Sequence, residues 1–147
     1  MNEKSREIIY SIGHISAQIE HFIEFTYNYN DLVAELRTIR IELAKDLLTE
    51  LSQEYKIEYN NLQDMWCYIK HYCITLVHLT ELSEKYASES NVMKFEQTIK
   101  QISQLNNNLS HHITLSASSH KPCNGCANEV KVIKMDTSLE DKLNAYY

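Results

Sequence analysis

Apolar residues recur along most of the chain at steps of three and four positions, which is the spacing that places them on one face of an α-helix. Four such stripes follow one another, separated by short polar stretches. The stripes run from Ile8 to Ile23, from Leu32 to Leu51, from Leu62 to Thr80 and from Phe95 to Ile113. The pattern therefore predicts four amphipathic helices, the first within residues 3–27.

The boundary between the second and third stripes is the least sharply marked. Tyr59, Asn60 and Asn61 weaken helix propensity there, but no Gly or Pro enforces an end. At about 100° per residue, the apolar stripe also turns by about 60° between the two segments. This shift favours two separate helices, with one long bent helix over residues 31–87 as the alternative.

The four segments predict the architecture. Each has about 25 residues and would be about 38 Å long at 1.5 Å per residue. Similar lengths and short connectors favour an antiparallel four-helix bundle over residues 1–118. Residues 119–147 are expected to form a C-terminal tail packed on the bundle, with a metal-binding knuckle or a dithiol. In that tail, VKVIKM (130–135) alternates like a short strand, and Thr137 with Glu140 resembles the capping box of a terminal helical turn.

Composition supports the helical interpretation. The chain has two Gly and one Pro in 147 residues, against about 17 expected from average usage. Many-stranded sandwiches, dinucleotide-binding folds and phosphate loops need more glycines at their turns. Gly13 falls inside the first predicted helix, where it is available for close packing, whereas Pro122 and Gly125 fall in the tail.

Charge and hydropathy limit the partners. The net charge is −6 and there is no basic run, so no nucleic-acid partner is predicted. The N-terminal stretch lacks the apolar segment of a signal peptide, and no stretch has the 18 apolar residues of a membrane span. We therefore expect a soluble protein of the reducing cytoplasm, or of the host cytoplasm if the protein is viral or from a phage.

The sharpest chemical feature is the segment from His120 to Cys126, which contains Cys123 three positions before Cys126. A turn with a positive φ at Gly125 would point both thiolates at one metal ion. A closed zinc site needs four ligands. The predicted set is His120, Cys123, Cys126 and His112, and the fourth place is also open to His111, Cys67 or His71.

The two remaining cysteines are predicted to face different directions. Six residues along a helix amount to about 240° net, so Cys67 and Cys73 cannot both join the site. Cys73 lies on the apolar stripe and is predicted to be a buried thiol. For Cys123 and Cys126 the alternatives to a metal are a redox-active dithiol and a loop without a chemical role.

Short segments of the chain resemble motifs of three enzyme families. The stretch from Pro122 to Ala127 resembles the Pro-Cys-x-x-Cys motif of zinc-dependent deaminases and of flavin-linked sulfhydryl oxidases. The chain lacks the deaminase His-x-Glu and the oxidase His-Asn segment, so neither activity carries over. Asp64 in QDMWCY resembles the all-α nucleotide pyrophosphohydrolases, which implies a magnesium-binding carboxylate, but the paired acidic signature of that family is absent.

These observations predict a non-enzymatic helical protein that oligomerises or binds a protein partner, with a structural zinc ion in its tail. Tyr10, His14, His21 and Phe25 line up on the outer face of the first helix and are predicted to form a contact stripe. The alternative functions are a metal-dependent enzyme of the nucleotide pyrophosphohydrolase type and a thiol redox protein using Cys123 and Cys126.

Overall fold

All regular structure in the described residues is helical. The computed structural model describes residues 1–25, 30–116, 123 and 125–134. Within these ranges the helices are α1 (Glu3–Phe25), α2 (Asn30–Tyr55), α3 (Tyr59–Gln63), α4 (Trp66–Ser88), α5 (Val92–Ser116) and α6 (127–134). The described ranges contain no strand. The all-α class and the four long helices are thus confirmed.

The helices share one hydrophobic core. Helix α1 packs against both α2 and α4, and α4 packs against α5. The largest fully buried side chains are Ile9, Ile12, Leu47, Leu48, Leu51, Leu62, Met65, Trp66, Ile69, Leu109, Ile113 and Ile133. The antiparallel four-helix bundle and the division into 1–118 and 119–147 stay predictions.

Two helix ends are formed without glycine. After α2, Lys56 adopts a left-handed φ of 56°, and the N–H of Ile57 donates to the carbonyl of Ser52 at 3.2 Å. This six-residue closure is the Schellman arrangement, which usually places Gly at the left-handed position. Ser90 has the same role after α4, with φ of 58°. The prediction of two helices rather than one bent helix is therefore confirmed, with the short α3 between them.

Gly13 lets α1 and α4 approach closely. A Cβ at this position would lie 2.3 Å from Val77 Cγ2 and 2.7 Å from the carbonyl oxygen of Cys73. Distances this short leave no room for any side chain, so the glycine serves helix packing, as its position inside α1 predicted.

The predicted strand at 130–135 is wrong, because residues 127–134 form α6. Cys126, Val130 and Ile133 are all buried. Their steps of four and three are helical, and they place one apolar stripe on the core. Val132, which an alternating strand would share with Val130, is exposed instead. Burial of this helical stripe against the core therefore outweighs the strand preference that the alternating apolar and basic residues suggested. The predicted terminal turn from Thr137 lies outside the described residues.

Candidate metal centre

Four potential metal ligands come together between α4 and the start of α6. Cys67 and His71 belong to α4, and Cys123 and Cys126 belong to the turn that opens α6. One ligand atom from each, a sulfur or an imidazole nitrogen, lies within 4.8 Å of all the others. These four residues are close enough to hold a metal ion.

Helix α4 presents its two ligands through its own geometry. Residues four apart lie one above the other on a helix surface, so Cys67 and His71 point in the same direction. Cys67 is half-buried and His71 is exposed. They lie at the edge of the face that buries Trp66 and Ile69 in the core. Core packing thereby fixes the direction in which this edge of α4 faces.

The second pair is presented by an ordinary helical turn. The N–H groups of Cys126 and Ala127 both donate to the carbonyl of Cys123 at 3.0 Å, so Cys123 stands at the N-terminal end of α6. Gly125 does not have a positive φ, and nothing lies within 4 Å of a Cβ added to it. The expectation that Gly125 needs the left-handed region is therefore wrong. The i, i+3 spacing in the first turn is enough to bring the two thiols together.

A half-buried acid with two buried cationic partners holds α6 in place. Glu129 accepts hydrogen bonds from the indole Nε1 of Trp66 at 2.9 Å and from Lys70 Nζ at 3.4 Å. It also pairs with Arg40, whose other terminal nitrogen donates to Ser16 Oγ at 3.0 Å. Burial alone would raise the pKa of Glu129, but the Trp66 hydrogen bond and the two cations hold it below its usual value. This carboxylate therefore joins α6 to α1, α2 and α4.

The cysteine thiols have very different acidities. Hydrogen bonds lower the pKa of Cys123 to about 6, with the largest effect from Cys67 and the next largest from His71. Burial raises the pKa of Cys126 to about 12. Burial also raises the pKa of Cys73. Because this residue is buried, the prediction of a buried core thiol is confirmed. In the metal-free protein the exposed Cys123 is thus a more acidic thiol than the buried Cys126.

All four clustered residues are among the candidates from the sequence, but in a different arrangement. The predicted ligand set combines Cys123 and Cys126 with His120 and His112, and it gives Cys67 and His71 only as alternatives for the fourth ligand. His112 packs its ring on Tyr68, with centroids 4.2 Å apart. His120 lies outside the described residues, so the set that includes it stays a prediction. The Cys-x-x-x-His spacing on α4 was the signal that both helix residues could enter together.

Asp64, which suggested a magnesium ligand, pairs with a cation. Its carboxylate accepts a hydrogen bond from Lys134 of α6, and both side chains are partly exposed. The residue follows the last turn of α3, where it forms the C-cap. Its charge is therefore balanced within the chain and helps to hold α6 beside α3.

The predicted contact stripe on α1 lies at the surface where the structure describes it. Tyr10, His14 and His21 are exposed. His14 Nδ1 lies 3.8 Å from Glu81 Oε1 of α4, and the ring of His21 meets the ring of Phe22 edge-on. The side chain of Phe25 is outside the described residues.

Comparison with known proteins gives no relative. No family model, curated protein or solved structure matches this chain. Among the described helices, none has both the length and the apolar character required to cross a bilayer. The function must therefore be inferred from the cluster itself and from the surface.

Proposed function

We propose that the chain is a non-enzymatic helical interaction protein in which a structural Zn²⁺ ion fastens the start of α6 to α4. The observation that supports this function is the meeting of Cys67, His71, Cys123 and Cys126 within 4.8 Å of one another. Two ligands come from each of two elements that are distant in sequence, which is how a metal ion stabilises a tertiary contact.

The donor set favours zinc. Three thiolates and one imidazole form one of the closed sets found in structural zinc sites. With Zn–S bonds of about 2.3 Å, tetrahedral geometry separates two sulfurs by about 3.8 Å. The Cys67 and Cys123 sulfurs are 3.3 Å apart, and all ligand separations stay within 4.8 Å. Small side-chain rotations would bring the four atoms to tetrahedral positions.

Metal stoichiometry tests the site. Protein purified without chelator and analysed for metals should contain about one zinc per chain. Cys67→Ser and His71→Ala should each weaken zinc binding by at least tenfold in competition with a chromogenic chelator. The matched controls are Cys73→Ala, a cysteine of α4 buried in the core, and His78→Ala, an exposed histidine of α4 outside the cluster. Less than a tenth of an equivalent of zinc, or equal losses in ligand and control variants, would contradict the proposal.

The interaction part of the proposal rests on α5. Its first half exposes Val92, Met93 and Ile99, at 64%, 72% and 44% of their full accessibility. Helix α4 is the main neighbour of α5. In the proposed antiparallel four-helix bundle this surface faces outward. Val92 and Ile99 lie about two turns apart on one face of α5. An exposed apolar face is typical of association sites, and we propose a second copy of the chain as the occupant.

Sedimentation velocity tests the association. The wild-type protein should shift from monomer to dimer as its concentration rises, and Ile99→Glu should reduce the dimer fraction at least fivefold. Gln101→Glu is the matched control, because it adds the same charge at an exposed position on another side of α5. Monomer at every concentration would refute self-association and leave a different protein partner as the proposed occupant.

A second candidate function is thiol–disulfide exchange. Cys123 is exposed at the N-terminal end of α6 with its pKa lowered to about 6, and Cys126 is buried three residues later. This is the arrangement of an attacking and a resolving thiol. A reduction potential for the metal-free pair between about −220 and −320 mV, near the cytosolic glutathione poise, would favour this function. Retention of zinc in glutathione buffers would favour the structural role.

A further inference from the structure

The metal-ligand cluster contains a close sulfur–sulfur contact between two separate elements. Cys67 Sγ of α4 lies 3.3 Å from Cys123 Sγ, across a separation of 56 residues. Cys123 is exposed and Cys126 is buried. An oxidant arriving from solvent therefore reaches Cys123 first, with the sulfur of Cys67 already beside it.

We propose that a hydroperoxide oxidises this centre to a Cys67–Cys123 disulfide, with release of the metal ion. The inference rests on the proposed zinc site and adds a regulation of it. It differs from the redox alternative above, which uses Cys123 and Cys126 and needs no metal.

The reaction balances with hydrogen peroxide as the oxidant. The Cys123 thiolate attacks one peroxide oxygen, the O–O bond breaks, and the departing hydroxide takes a proton from solvent to form water. The Cys67 thiolate then attacks the sulfur of the resulting Cys123 sulfenic acid. An S–S bond forms, the S–O bond breaks, and the second hydroxide is protonated to water. Two thiolates thus lose two electrons, and the peroxide gains two electrons and two protons.

Metal release follows from the ligand count. A disulfide sulfur is no longer a thiolate, so the oxidised centre keeps only His71 and Cys126 as ligands. Two ligands do not hold zinc in a structural site, which needs four. A bound ion would therefore be released once the disulfide has formed.

Contacts outside the ligand set keep the two sulfurs together during this exchange. Glu129 joins α6 to Trp66 and Lys70 of α4, and Lys134 pairs with Asp64. None of these residues is a ligand, so α6 stays docked while the metal leaves. The new disulfide then links α6 to α4 covalently, whereas a Cys123–Cys126 disulfide would leave the two elements unlinked.

Peptide mapping distinguishes the two disulfides in the wild-type chain. The zinc-loaded protein is treated with hydrogen peroxide while released zinc is followed with a chromogenic chelator. Free thiols are then blocked and the protein is digested with trypsin. Cys67 lies in the tryptic peptide 57–70, whereas Cys123 and Cys126 share the peptide 101–131, because trypsin does not cleave between Lys121 and Pro122. Hydroxylamine cleavage between Asn124 and Gly125 then separates Cys123 from Cys126.

The expected result is release of about one zinc per chain together with a cross-linked pair of peptides 57–70 and 101–131, in which the link remains on the Cys123 side after hydroxylamine cleavage. Cys73→Ala should behave like the wild type, and Cys67→Ser should give no cross-linked pair. Zinc release with a disulfide confined to 101–131, a link on the Cys126 side, or zinc retained through peroxide treatment would each overturn the inference. A chain that binds no zinc at the outset would instead refute the proposed zinc site.

Discussion

Glu129 offers the strongest single test of how α6 is held. The substitution Glu129→Gln keeps the size and shape of the side chain but removes its charge. Arg40 and Lys70 then lose their counter-charge, although their side chains are only 8% and 10% exposed. Removing one partner of a buried ion pair costs about 3–5 kcal/mol. The Gln oxygen can still accept the Trp66 hydrogen bond, which retains about 1 kcal/mol.

The expected loss in the free energy of unfolding is therefore about 2–4 kcal/mol. Urea unfolding followed by circular dichroism measures it without relying on Trp66 fluorescence, which the substitution itself changes. With a denaturant slope of about 2 kcal/mol per molar, the midpoint should fall by about 1–2 M. Both proteins are measured with chelator present, so that metal binding does not contribute.

Asp64→Asn is the matched control for this substitution. It also removes the charge of an acid that forms an ion pair between α6 and the rest of the chain. The Asp64–Lys134 pair is partly exposed, however, with side chains 36% and 45% accessible. Surface pairs of this kind contribute less than about 1 kcal/mol. Equal losses in Glu129→Gln and Asp64→Asn would refute the assignment of Glu129 as the main electrostatic anchor of α6.

The same carboxylate predicts a pH dependence. Because the pKa of Glu129 is lowered in the folded protein, its stabilising contribution is complete above the unfolded-state pKa of about 4.3 and is lost as the pH falls toward the folded value. The stability difference between the wild type and Glu129→Gln should therefore be constant near neutral pH and narrow in acid. A difference that grows below pH about 4 would contradict the direction of the shift.

Three further predictions follow from the helix contacts and the thiols. Gly13→Ala should reduce the free energy of unfolding by about 1–2 kcal/mol, because overlap of the added Cβ with Val77 and with the backbone carbonyl of Cys73 outweighs the gain in helix propensity. An increase in the free energy of unfolding would contradict the close α1–α4 contact. Lys56→Gly should raise the free energy of unfolding by about 0.5–1 kcal/mol, because glycine adopts the left-handed φ without strain. A lower free energy of unfolding would contradict the left-handed backbone at Lys56 after α2. In the metal-free protein, alkylation of Cys123 should be half-maximal near pH 6, since its pKa is about 6, while Cys73 stays unmodified; a midpoint near the ordinary thiol pKa would rule out the lowered value.

Much of the fold could be predicted because the spacing of apolar residues identifies helices. The spacing did not fully predict which side of each helix is buried. Ile23, Ile39 and Ile99 belong to the apolar stripes, yet all three are exposed. Polar side chains occupy core positions instead, including Ser16 and Arg40. Arg40 is buried because Glu129 meets it from α6, and such a pairing across 89 residues leaves no periodic signal.

The candidate site could be predicted in part for a similar reason. Cys123 and Cys126 stand out because they are close in sequence and follow the helical body. Cys67 and His71 reach them only because α6 docks beside the first turns of α4. That docking depends on α6 being a helix, and the alternation of Val130, Lys131 and Val132 suggested a strand instead. The local pattern therefore hid the geometry that completes the cluster.

The separation between the two halves of the cluster has a mechanical consequence. Cys67 and Cys123 are 56 residues apart, and all of α5 lies between them. Any cross-link at this point, metal or disulfide, encloses α5 in a loop that a force applied to the chain ends cannot extend. Those 56 residues correspond to about 190 Å of fully extended chain at about 3.4 Å per residue. In a pulling experiment the extension of the unfolded, cross-linked protein would be shorter by that length. Breaking the link would release the missing length in a single step.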